Sequence, residues 1–265
     1  MPLTDSEAGR RTHEFAAMIE GAGSVGPRNW YGMLLRARME RWIRDLIEDV
    51  RARELDVPEG SAAHIIAWHR DLDGELLDTE VAAVELINLL RLVVAVARFV
   101  TFAALALHEH LECLHKIQTD EDYLELFVQE VRRFYPFFPF VGGRVRNEFD
   151  WRGRHYARGT WVLLDLYGTN HDARTWRDPK EFWFERFRRW DGSAFDFVPQ
   201  GGGDHRNGHR CPGEWATIAL MKRAVRLLTG SMSYDVPEQD LQISLSRMPT
   251  IPKSRFVISG VRRTR

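Results

Sequence analysis

Cysteine is nearly absent from this sequence: of 265 residues only Cys113 and Cys211 carry a thiol, and they lie far apart. That excludes the disulfide framework of a small secreted domain and points to a reducing cytosol as the compartment. Net charge is equally scarce. The 37 Lys and Arg residues nearly cancel the 38 Asp and Glu residues, leaving a formal charge of -1 and no overall pull toward nucleic acid or an anionic membrane. The opening residues "MPLTDSEAGRRTHEF" lack an apolar run behind a basic head, so no signal peptide or signal anchor is read there. Repeats, low-complexity tracts and long linkers are missing as well, which predicts one continuous domain over residues 1–265.

The composition that remains, 44% hydrophobic and 28% charged, is that of a globular chain able to bury a sizeable core. Apolar spacing predicts helices over 10–20 and 28–54, a short one in "SAAHIIAWHRD", a very apolar one from about 80 to 110, and one over 120–134 stopped by Pro136 and Pro139. Arg91 and Arg98 share a face of the apolar helix. Burying both in lipid is costly, so a core helix is expected there rather than a membrane span. From 140 to 168 the pattern changes to bulky and polar residues alternating between glycines, read as short antiparallel strands. A last helix is predicted after Cys211, ending at Gly230, with strand-like runs over 231–262. The expected fold class is mainly α with small antiparallel sheets.

Chemistry concentrates in "GGGDHRNGHRCPGEW", residues 201–215. Its glycines permit backbone conformations that other residues resist, and Cys211 stands directly before a helix. Helix amides and the adjacent Arg210 favour the thiolate, the form that ligates a metal. A buried structural cysteine satisfies the same residues. So, by donor type, does a zinc site of His205, His209 and Cys211, although no HExxH or paired CxxC completes it. A dinucleotide loop fits less well, because the preceding strand and GxGxxG spacing are lacking.

Two further features bear on the choice. Glu130 and Arg133 in "EVRRFYP" stand three apart on one helical face, followed in order by Arg144, "FERF" with Arg186, and the cysteine loop. Arg91 lies among Leu89, Leu90, Leu92, Val93 and Val94, where a guanidinium requires an anion, an internal carboxylate such as Glu85, or an exposed edge.

This order of motifs resembles that of the haem-thiolate cytochromes P450. Through "FVPQGGGDHRNGHRCPGEW", "FVQEVRRFYPFFP" and "LDLYGTNHDARTW", the sequence is similar above all to the bacterial fatty-acid peroxygenases of that superfamily, over nearly its whole length. The resemblance implies haem b with Cys211 as axial thiolate. It implies Arg144 and His209 at the haem propionates, and Glu130, Arg133 and Arg186 as a structural lock beneath the haem. It implies Arg91 as the group that binds a fatty-acid carboxylate. Where typical relatives carry an acid–threonine pair, this sequence offers Arg91 and Leu92, which implies hydrogen peroxide as oxidant and no reductase. The reaction implied is hydroxylation of long-chain fatty acids at the alpha or beta carbon; a catalytically silent relative that binds haem or fatty acid weakly is the alternative. Compared with the family, the sequence begins in the middle helices and lacks the N-terminal third. Leu92, Leu111 and Phe184 stand where proline is usual.

Overall fold

In a computed structural model, residues 4–264 are described, and their packing divides the chain into two compact units, Met1–Ala97 and Arg98–Arg265. Among the described residues the first holds helices and one isolated bridge between Arg70 and Leu76. Helix α1 (Asp5–Gly21) begins earlier than apolar spacing alone suggests, because Thr4 and Glu7 form a reciprocal capping box. Helix α2 (Pro27–Ala52) places Leu35, Met39, Ile43, Ile47 and Val50 on one stripe. Met39, Ile43 and Ile47 are fully buried, packed with Phe15, Ala83 and Leu86. A Cβ on Gly21 would lie 3.2 Å from the Gly32 Cα, so these two glycines let α1 and α2 approach backbone to backbone. Glu14, buried between the helices, is held by Arg11 at 2.9 Å and Arg38 at 3.2 Å. The short α3 (Ala62–Ala67) follows, capped by Ser61.

Helix α4 (Thr79–Glu109) matches the expected apolar helix closely. Among the described residues it alone is long and apolar enough to cross a membrane by length and composition. Its buried positions are those of a core helix: Leu86 and Ile87 belong to the first unit, while Phe99, Phe102 and Leu105 are buried in the second. Arg98, also buried, donates to the Thr250 carbonyl at 3.3 Å.

The second unit continues through α5 (Leu114–Thr119) and α6 (Glu121–Phe134), the latter capped by Asp120, whose carboxylate accepts the Asp122 N–H. Strand β1 (Phe140–Arg144) pairs antiparallel with β4 (Trp161–Asp165), enclosing the hairpin of β2 (Phe149–Trp151) and β3 (Arg154–Tyr156). Helix α7 (Leu166–Asn170) leads to a turn-rich segment with a 3-10 stretch at Phe184–Arg189 and an aromatic cluster of Trp176, Phe187 and Phe197. Helix α8 (Glu214–Arg226) then runs into a π-helical turn at Leu227–Ser231. Strands β5 (Met232–Asp235) and β6 (Ser259–Arg263) pair antiparallel near the C-terminus. The architecture is helical with three two-stranded antiparallel sheets among the described residues, as the sequence led one to expect.

Candidate haem-thiolate site

A buried charge network is built on α6. Glu130 and Arg133 are three apart, so one helical turn brings them together, and both are at most 1% exposed. Arg133 grips the carboxylate with two donors, Nε to Oε2 at 2.8 Å and Nη2 to Oε1 at 2.7 Å. Arg186 adds its Nε at 3.3 Å from Oε1, and the Trp183 N–H donates to the same oxygen at 2.9 Å. Two guanidinium ions on one carboxylate leave a surplus positive charge. Backbone carbonyls take it up: Arg133 donates to those of Asn170, Pro179 and Glu181, and Arg186 to those of Arg177, Asp178 and Glu181. The pairing of α6 with the aromatic segment is thereby fixed. Phe184 is buried, and its ring meets Tyr123 and Phe127 edge-on, so an aromatic side chain fills the place where proline is usual.

A second network, unseen in the sequence, lies beside the first. Arg132 faces away from Glu130 and, 1% exposed, forms an ion pair with Glu214 in the first turn of α8. The same carboxylate accepts from Arg210 and, at 3.0 Å, from His205 Nε2. His205 also stacks on Trp215, with ring centroids 4.1 Å apart. Burial raises the Glu214 pKa, but Arg210, Arg132 and His205 outweigh it and hold the group at about 2. The one readable signal was the four-residue spacing of Arg210 and Glu214.

The loop is shaped by its own backbone. Gly201 adopts φ +90°, and a Cβ there would sit 1.9 Å from the His209 carbonyl oxygen. The Cys211 N–H donates to the Gln200 carbonyl at 3.0 Å and the His209 N–H to Gly202 at 3.2 Å, closing the loop on itself. Asp204 accepts the N–H groups of Arg206 and Asn207, which holds its carboxyl below the usual range.

The two cysteines end in opposite environments. Cys113 is buried, and desolvation pushes its thiol up to about 11. Cys211 is partly exposed three residues before α8, and among the described residues its thiol has no hydrogen-bond partner. Arg144, at the end of β1, is exposed and stacks on Trp161 at 4.8 Å, with no carboxylate partner among the described residues. The His209 side chain is likewise exposed. A partly open thiol ahead of a helix start, with an unpaired guanidinium and an open imidazole elsewhere in the same unit, is a donor set that fits an iron porphyrin and its two carboxylates. The zinc alternative loses His205 to Glu214, and among the described residues no three His, Cys, Asp or Glu side chains gather into a metal site.

Arg91 belongs to the first unit. It is partly exposed, and its Nη2 lies 3.4 Å from Asn88 Oδ1, so Glu85 is not its partner. It borders a cavity of about 150 Å³ that Met18, Gly32 and Met33 also line. Leu89, Leu92 and Val93 on the same helix are exposed.

The profile of the cytochrome P450 family matches residues 110–236. A variant of cytochrome P450SP alpha (CYP152B1) is 50% identical over 100% of this chain, with a TM-score of 0.94. Cytochrome P450EX alpha (CYP152N1), solved with myristic acid, is 44% identical with a TM-score of 0.91. Cytochrome P450 4e5 of Drosophila mettleri is 30% identical over 40% of the chain and 20% of its own length. The chain belongs to the cytochrome P450 superfamily, and its structural kinship is with the CYP152 fatty-acid peroxygenase branch. It spans 64–65% of the length of these solved CYP152 chains. Haem ligated by a cysteine thiolate is the cofactor the family implies.

Proposed function

We propose that this chain carries the haem-thiolate machinery of a fatty-acid peroxygenase, which uses hydrogen peroxide to hydroxylate long-chain fatty acids at the alpha or beta carbon without a reductase. The observation that carries this reading is Cys211, a partly exposed thiol in a glycine-shaped loop at the start of α8, in a chain half identical to a CYP152 P450. Cys211 would hold haem b through its thiolate, and Arg144 and His209 would meet the propionates. When bound, the haem would activate the peroxide, which itself supplies the oxidising equivalents and the oxygen atom.

The remaining roles fall to this chain's own side chains. Glu130, Arg133 and Arg186 keep the segment beneath the loop rigid without touching substrate. Arg91 binds the fatty-acid carboxylate: its neighbours are apolar, its present contact with Asn88 is long, and no carboxylate among the described residues claims it. Exposed Leu89, Leu92 and Val93 offer apolar surface to an acyl chain. With its carboxylate anchored at Arg91, the substrate brings its own acid–base group, which accepts and returns the proton that a protein acid–threonine pair handles elsewhere.

The test is direct. The purified chain is supplied with haem, reduced and exposed to carbon monoxide, and the strongly red-shifted Soret band of a thiolate-ligated carbonyl is expected. A histidine-type band would remove Cys211 from the iron. Peroxide and a long-chain fatty acid are then added and the products analysed, which separates turnover from the second reading, a chain that only binds haem or fatty acid. In an active preparation, Arg91→Ala should lower kcat/KM by roughly 10- to 100-fold, the worth of one charge-assisted contact. Unchanged turnover and unchanged fatty-acid affinity would refute the role of Arg91.

A further inference from the structure

We propose that Glu214 is a positioning residue for Cys211, acting through a clamp of Arg132, His205 and Arg210. The inference rests on the reading of Cys211 as the axial ligand. Glu214 is 4% exposed and lies three residues after the cysteine, in the first turn of α8. Its carboxylate draws together three parts of the chain: Arg132 from α6, His205 from the middle of the glycine loop, and Arg210 from the position before the cysteine. The loop that presents the thiol is thus tied on both sides of its turn to one anion.

The geometry does more than immobilise the loop. Arg210 gives both Nε and Nη2 to Glu214, at 2.5 and 3.2 Å. Its guanidinium is therefore committed to a carboxylate rather than free beside the neighbouring sulfur. A guanidinium released next to a thiolate would be drawn to the sulfur and would withdraw electron density from it. Arg132 is itself braced, its guanidinium 5.1 Å from the Phe197 ring centre and a donor to Gln129. The clamp thereby transmits the rigidity of α6 to the loop. Glu130 cannot substitute for it, because both of its oxygens are taken by Arg133, Arg186 and the Trp183 N–H.

The experiment compares the full chain with Glu214→Gln, which keeps size and hydrogen-bonding atoms but removes the charge. Without haem, the rate of alkylation at Cys211 is measured with a soluble maleimide, Cys113 being buried and unreactive. A rise of roughly tenfold is expected as the loop opens more often. With haem, retention should weaken roughly 10- to 100-fold, the thiolate-type carbonyl band should lose intensity to the histidine-type band, and the reduction potential should rise. Arg210→Gln, which removes one of the loop's two ties and leaves the Arg132 and His205 contacts to Glu214, should shift the same readouts in part and guards against a Glu214 variant that does not fold. Unaltered alkylation, spectrum and potential with only a lower Tm would overturn the proposal and make Glu214 purely structural. A wild-type chain lacking the thiolate band would instead sink the haem reading together with the clamp's purpose, so the two failures are distinct.

Discussion

Within the unit from Arg98 to Arg265, the side that supports the cysteine loop and the β1–β4 ribbon place their residues in opposite ways. Beneath the loop, charges are buried: Glu130, Arg132, Arg133, Arg186 and Glu214 are all at most 9% exposed, each held by several partners. On the ribbon, apolar side chains are open: Trp161, Leu163 and Leu164 are each more than half exposed. Consecutive apolar residues along β4 have the pattern of a strand covered on both faces, and a two-stranded ribbon is marginal by itself. Side chains near the cysteine loop are buried through charge pairing, whereas those on the ribbon are apolar and open. A buried ion pair adds little net stability against an apolar replacement but is costly to break, so the network fixes a geometry more than it supplies free energy.

That contrast breaks down most readily at Glu130. Glu130→Ala leaves two buried guanidinium ions sharing no carboxylate and should cost about 3–5 kcal/mol, read by urea unfolding; a loss below about 1 kcal/mol would place the network with surface pairs. A smaller effect is expected from His171. Its ring packs against Tyr167 and Phe134, Nδ1 donates to the Tyr167 carbonyl at 2.9 Å, and Nε2 has no partner among the described residues. Desolvation pulls its pKa down from 6.5 to about 4. Between those values the unfolded chain binds the proton that the folded chain refuses. Stability is therefore full above about pH 6.5 and declines as pH falls toward 4. Tm measured across this window should fall in the wild type and stay flatter in His171→Phe. The smallest effect belongs to the ribbon: Leu163→Ser should change stability within about 0.5 kcal/mol, because its side chain is already in water. A large loss there would show that the ribbon is covered in solution.

Much of this organisation is legible in the sequence. Residue periodicity located α2, α4, α6 and α8, and the order of Glu130, Arg133, Arg144, Arg186 and Cys211 pointed to the family. The start of α1 was missed, although Thr4 and Glu7 have capping-box spacing, because the apolar pattern sets in only later. The Glu214 clamp was missed for a deeper reason. Arg132 reads as a surface neighbour of Arg133, and only the packing of α6 near α8 shows that both arginines are buried, on different carboxylates. Arg91 shows another limit. Its isolation among leucines was plain, yet Asn88 and not Glu85 proved to be its partner, a choice made by side-chain direction along the helix.

Gly201 has a practical consequence for anyone who would redesign this protein. The atom a side chain would strike is a backbone carbonyl, not the tip of a movable group, so no choice of rotamer and no partner mutation elsewhere relieves the clash. A library that diversifies the whole loop would lose nearly every member at that single codon. One that holds Gly201 constant and varies Arg206 and Asn207, which are exposed and contribute only their N–H groups to the Asp204 turn, would spend its diversity where the backbone can tolerate it.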